Sequence, residues 1–369
     1  HENLYARSVR QFNAAVRGEG EPAATAQDGF AYTIRLRNGE LVSIAQANWG
    51  DPTSAAALLR EAGDQDSPQW KQAAWSALQA GIATDVLRGH QGDITSVAWS
   101  SDGTKVATGS KDKTIRIWEV DGSAAPRILS GHTGGVRAIS FSSDGKKLVS
   151  GSADQTARIW NIDGSGVPLV LKGHTDRVCA IAWSPDGKIL ASAGADRRIV
   201  LRDGTTGAPV GPALTEHTDT VTGLAFSPDG KTLASTGYDG NLILRSPDNA
   251  RLSLRSASHP AVLHGLAFSP DGRQIATAGA DGDVTLWQTD RLAPVGGPLA
   301  GRGAAVRKVA FSGNGQTLVA VGEDGQVRLH DLTRPGSNAT ERSVHRGNVL
   351  AVAFKADGSF VTAGSDDLL

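Results

Sequence analysis

Two stretches of the chain carry the parts of a nucleophilic catalyst. His90, Thr108 and Asp112, and again His132, Ser150 and Asp154, combine an imidazole, a hydroxyl and a carboxylate. In a hydrolase the imidazole takes the hydroxyl proton and the carboxylate orients the imidazole. A third set, His259, Thr277 and Asp281, keeps the same offsets of 18 and 22 residues from the histidine. Trp118, Trp160 and Trp287 follow the acid by six residues in the same three copies and add an indole donor. An enzyme needs one such site. Recurrence at fixed offsets points instead to a repeated structural unit.

Other constellations are weaker. Asp229-Gly230-Lys231-Thr232 ends like a phosphate loop, but Ala225 stands where its first glycine is required. Asn338-Ala339-Thr340 is a formal glycosylation triplet with nothing else to suggest secretion. Six of the nine histidines hold one repeated position, and His1, His264 and His330 lack ligand spacing, so neither a metal nor a cofactor is expected. The single cysteine, Cys179, cannot form an internal disulfide and fits a reducing, cytoplasmic setting. With 37 basic against 38 acidic side chains, the chain lacks the basic excess of a nucleic-acid binder. No apolar run approaches the roughly 20 residues that span a bilayer.

The elements that must position these residues are set by a ruler. Asp-Gly or Asn-Gly turns recur at Asp102, Asp144, Asp186, Asp229, Asp271, Asn314 and Asp357, spaced by 42, 42, 43, 42, 43 and 43 residues. Each follows a short strand-like run such as VAWS or LAFS, which reads as a hairpin. Ten residues after each turn comes an acid: Asp112, Asp154, Asp196, Asp239, Asp281, Asp324 and Asp367. The full set of histidine, hydroxyl, acid and tryptophan recurs in repeats one, two and five. Repeats three and four carry Arg202 and Arg245 at the tryptophan position, and repeat six surrounds Asp324 with Arg302, Ala320 and His330. Repeats one, two and five are therefore expected to be the stiffer units and repeat six the most easily opened.

The Gly-His starts at Gly89-His90, Gly131-His132 and Gly173-His174, and strand endings such as TIRIWEV (114–120) and TARIWNI (156–162), resemble the WD40-repeat family. The resemblance covers residues 86–369. It implies an all-β fold, a seven-bladed β-propeller of four-stranded antiparallel blades around a channel. It also implies that the His–Ser/Thr–Asp–Trp sets are structural and that the protein is a non-catalytic interaction platform. The alternatives weighed are a propeller-type hydrolase and a nucleic-acid-binding propeller.

The propeller is expected to occupy 85–369 and a small, mostly helical extension 1–84. Residues 51–81 read as two short helices, because Asp51-Pro52 and Ser67-Pro68 are cap-then-proline starts. Residues 30–44 fit either a hairpin turning at Asn38-Gly39 or a strand followed by a helix. The segment GDPTSAAALLREA with the helix after it is similar to what precedes WD40 arrays in large bacterial signalling proteins of the Ser/Thr kinase or STAND type, which implies a sensor or scaffold domain with an effector fused elsewhere. Repeat seven stops at Leu369, short of its third strand. Closure is expected to come from 85–88 with help from FAYTIRLR (30–37), or from chain beyond Leu369.

In the resembled family, partners dock on the top face. The positions three and five residues after the repeat histidine, and the one before the network aspartate, are exposed there. They give Asp93 and Lys111 in repeat one, Arg137 in two, Arg177 with Cys179 in three, Tyr238 in four, His264 in five, and Arg307 with Glu323 in six. Arg and Tyr are enriched at interface hot spots. A protein or peptide ligand, acidic or phosphorylated, suits Arg137 and Arg177.

Overall fold

The computed structural model describes residues 36, 37, 40, 41 and 87–369, apart from 123, 248–254, 300–302, 335–338, 346, 356 and 367–369. Contacts divide the chain into two units, His1–Val86 and Leu87–Leu369. In the first, Leu36–Arg37 pairs antiparallel with Glu40–Leu41, which is the hairpin reading of that stretch. The helices expected over 51–81 lie outside the described residues.

The second unit is all-β. Six sheets of three or four antiparallel strands follow one another, and a two-stranded hairpin, Val349–Phe354 with Phe360–Gly364, comes last. Blade one shows the pattern, with strands Ile94–Trp99, Lys105–Ser110, Ile115–Glu119 and Arg127–Leu129 in spatial order. Its second strand, KVATGS, is buried on both faces from Val106 onward, so only small and β-branched residues fit. The third strand alternates, hiding Ile115, Ile117 and Trp118. The turn between the first two strands is fixed by Asp102, whose carboxylate accepts from Ser100 Oγ at 2.6 Å and Thr104 N at 3.0 Å. Gly103 then takes φ +67°, the region that strains any residue with a Cβ.

Each inner strand neighbours those of the adjacent blades, and the hairpin of blade seven returns to blade one, so the ring is closed. The core lies between blades. Ala107, Ile115, Ile117 and Leu129 of blade one pack on Val136, Ile139, Phe141, Leu148 and Trp160 of blade two. At the closing seam Ala351 and Ala363 of blade seven meet Ile94, Val97, Val106 and Trp118, with Leu87 against the same cluster. Trp99 adds a bond from its Nε1 to Ala353 O at 3.1 Å. Among the described residues no helix is long and apolar enough to cross a membrane.

Candidate functional site

The trios that looked catalytic are held in place by strand pairing. In blade one His90 Nδ1 lies 2.7 Å from Asp112 Oδ2 and Nε2 lies 2.8 Å from Thr108 Oγ1. Trp118 Nε1 donates to the same hydroxyl at 3.0 Å. Blade two repeats this with His132–Asp154 at 2.7 Å, His132–Ser150 at 2.7 Å and Trp160–Ser150 at 2.8 Å. The distances would serve a triad, but the hydroxyls are fully buried and already accept an indole proton. No substrate atom can approach them, so the geometry ties strands together. Burial pushes Asp112 and Asp154 upward. Hydrogen bonds from Thr114 and the Gln91 amide, and from Thr156 and His132, outweigh it and hold both carboxyls at about 2.

Blade five departs from the expectation. Trp287 still donates to Thr277 at 2.9 Å, but His259 makes no bond to Thr277. Its Nε2 faces Thr285 Oγ1 at 3.2 Å and stands 3.9 Å from Asp281, while Nδ1 receives the Ala261 amide at 3.1 Å. The cause is Pro260. In blades one to four the residue after the histidine donates its N–H to the network aspartate, from Gln91, Thr133, Thr175 and Thr218. Proline has no N–H to give. Blades three and four, by contrast, keep the His–Ser–Asp part, His174–Ser192 at 2.9 Å and His217–Ser235 at 2.8 Å. Arg202 caps Gly207 O and Lys172 O, and Arg245 grips both oxygens of Glu216, a residue that sequence reading missed.

Blade seven corrects the ruler. His345 binds Asp366 at 2.9 Å and Thr362 at 2.9 Å, offsets of 21 and 17, because its hairpin turn is one residue shorter. The expected acid, Asp367, lies outside the described residues. In blade six Asp324 bonds the buried Arg328, which also faces Glu341 at 3.5 Å. Sequence reading missed Arg328, because its partners Asp324 and Glu341 meet it only through the fold.

A second constellation sits at one end of the inner strands. Every inner strand breaks register once, at Thr95, Arg137, Cys179, Thr222, His264, Arg307 and Leu350. These are the positions five after the repeat histidine, and a bulge re-aims the side chain it carries. In each blade the residue before the network aspartate donates its amide to the carbonyl three after the histidine, as Lys111 does to Asp93 and Glu323 to Ala305. Thr95 and Thr222 turn to the next blade, bonding Val136 O at 2.5 Å and Leu263 O at 2.6 Å.

The other candidates fall into groups. Asp93 and Lys111 pair with each other. Tyr238 meets His264 edge to face at 5.7 Å and 81°, and Arg307 reaches His264 Nδ1 at 3.3 Å while bonding Glu323. Burial, then the charge of Arg307, pulls His264 down to about 4, so at neutral pH its Nδ1 is an acceptor. Arg137 and Arg177 are exposed, and their side chains have no hydrogen bond or ion pair among the described residues. Tyr238, His264, Arg307 and Glu323 thus form one chain across blades four to six, whereas the guanidinium groups of Arg137 and Arg177 are free.

The WD domain, G-beta repeat family matches seven segments, 81–119, 125–161, 167–203, 210–245, 252–288, 297–331 and 337–368. The chain belongs to the WD40-repeat family. WD40 proteins generally serve as protein-interaction scaffolds. The chain is 36% identical over 110 residues to vegetative incompatibility protein HET-E-1 of Podospora anserina, covering 27% of this chain and 8% of that one. It is 42% identical over 59 residues to periodic tryptophan protein 2 homolog of Schizosaccharomyces pombe, covering 16% and 7%. It is 39% identical over 69 residues to probable cytosolic iron-sulfur protein assembly protein 1 of Aspergillus terreus, covering 19% and 14%. The chain therefore spans a small part of the curated relatives it matches.

Proposed function

We propose that this propeller is a non-catalytic docking platform whose working face is the bulged end of its inner strands, and that its partner is an acidic protein segment. The observation that carries the reading is the bulge repeated in all seven blades, which aims one freely variable side chain per blade out of the ladder. Variable residues on a rigid scaffold are what partner-specific recognition uses. Arg137 and Arg177 offer unpaired forks to carboxylates, and the Tyr238–His264 pair offers a flat apolar wall. We read the larger protein as a cytoplasmic signalling or defence sensor, of bacterial type by its segment at 50–62. One relative's name, vegetative incompatibility, accords with the defence part of that reading.

The test is partner capture from the native source with wild type and with Arg137→Ala/Arg177→Ala. Recovery is expected to fall about tenfold or more, the usual cost of losing charge-paired hot spots. Unchanged recovery would count against this face.

A further inference from the structure

At the strand ends away from the bulges, blades one and two fill one register pair differently. In blade one Lys105 lies opposite Glu119, and its ammonium bonds both carboxylate oxygens, at 2.6 and 2.7 Å. In blade two Lys147 lies opposite Asn161. Asn161 turns its amide to Ser165 O at 2.9 Å, and the Lys147 side chain has no hydrogen bond or ion pair among the described residues. The other blades carry Ile189, Thr232, Gln274, Thr317 and Phe360 where these lysines stand, so the fold itself does not require a cation there.

Both pairs border one cleft of about 710 Å³ between the two blades. Ile117, Ile162, Ala124 and Ala125 give it an apolar side. Arg127 crosses from blade one to donate to Asp163 O, and Gly164 leaves it room, since a Cβ there would stand 2.8 Å from Nη1. The lining holds the cations Lys105, Arg127, Lys146 and Lys147 against the acids Glu119, Asp144 and Asp163. Glu119 is taken by Lys105. Asp144 and Asp163 accept from their own turns, from Ser142 Oγ at 2.6 Å and Ser165 N at 2.8 Å. The cleft is thus one acid short, and blade one shows what a carboxylate does beside such a lysine.

We infer that this cleft is a second docking site, for a partner segment that sets a carboxylate against Lys147 and an aliphatic side chain against the apolar side. A cleft of this size, apolar with a few placed polar groups, is the usual form of a binding site. Val167, two residues past Ser165, is 92% exposed and extends the apolar surface. Strand Val136–Phe141 runs from the bulge to the turn that borders the cleft, about 20 Å by its six residues. The site is therefore separate from the bulged face and does not rest on the docking reading of that face.

The full chain is titrated with a fluorescein-labelled peptide holding one Glu between two Leu in a Gly-Ser frame, followed by anisotropy. Saturable binding is expected, with Kd about tenfold higher for the Gln counterpart of the peptide. Asn161→Glu installs the acid that blade one has and should raise Kd for the Glu peptide about tenfold by occupying Lys147. Lys147→Gln should do the same, and Lys147→Arg, which keeps the charge, should restore binding. Arg137→Ala/Arg177→Ala should leave this binding unchanged. Binding lost in that double variant and kept in Lys147→Gln moves the peptide to the bulged face and overturns the cleft site. Equal Kd for the two peptides, or no saturable signal up to millimolar peptide, overturns it as well. Failure of partner capture by the bulged face, with cleft binding intact, sinks the docking reading alone.

Discussion

In blade two Asp154 accepts from His132, and a line of donors runs from Trp160 through Ser150 to that histidine. In blade six the equivalent Asp324 receives Arg328, a guanidinium shared with Glu341, and His330 replaces the tryptophan. The same corner of the blade is thus closed once by a short-range chain of hydrogen bonds and once by an ion triad. The two differ in what weakens them. Hydrogen bonds between buried groups are indifferent to salt. The carboxylates of Asp324 and Glu341 are 23% and 27% exposed, within reach of water and ions.

The largest effect should come from Ser150→Ala, which leaves His132 Nε2 and Trp160 Nε1 buried without partners, at a cost of about 3 kcal/mol. Arg328→Ala should cost about 2 kcal/mol, less than a fully buried pair because water can solvate the released carboxylates. Urea denaturation of both variants at low and at roughly molar salt checks the contrast. The Arg328 effect should shrink with salt and the Ser150 effect should not. Equal salt responses would erase the distinction between the blades.

Blade five sharpens the comparison, because it holds the residues of blade two without their geometry. His132→Ala should cost about 2 kcal/mol and His259→Ala about half that, since His259 has exchanged the Thr277 hydroxyl for a longer contact to Thr285 and stands 3.9 Å from Asp281. Pro260→Thr returns the missing amide donor. In that background His259→Ala should become as costly as His132→Ala, a coupling that a double-mutant cycle reads directly. A cycle showing no coupling would mean that Pro260 is not what turned the ring.

Periodicity made the propeller legible: seven copies of a turn, a histidine and an acid fix strand number and register together. The same regularity misled where a blade departs from it. A uniform offset put the seventh acid at Asp367, when a turn shortened by one residue brings Asp366 to His345. Residue type alone placed His259 in a network that needs the backbone N–H of the next residue. The docking residues were legible by position but not by partnership. Nothing in the sequence says that Arg307 is neutralised by Glu323 while Arg177 is free.

The smallest expected effect separates blades two and six by pH. Burial lowers both His132 and His330 from the ordinary histidine value. For His132 the carboxylate of Asp154 opposes the shift, whereas for His330 the charge of Arg328 adds to it. A histidine whose folded value lies below its unfolded value of about 6.5 contributes fully above that pH, and the contribution is lost as pH falls from there toward the folded value. Acidification from about pH 7.5 to about pH 5 should therefore loosen blade six more than blade two. Hydrogen exchange corrected for intrinsic rates, comparing Thr317–Gly322 with Lys147–Ser152, should show the greater acceleration in the former. His330→Phe, which cannot take a proton, should abolish that excess. If it persists, the acid sensitivity of blade six lies in its carboxylates, Asp324 and Glu341, and the ion triad is the weaker element after all.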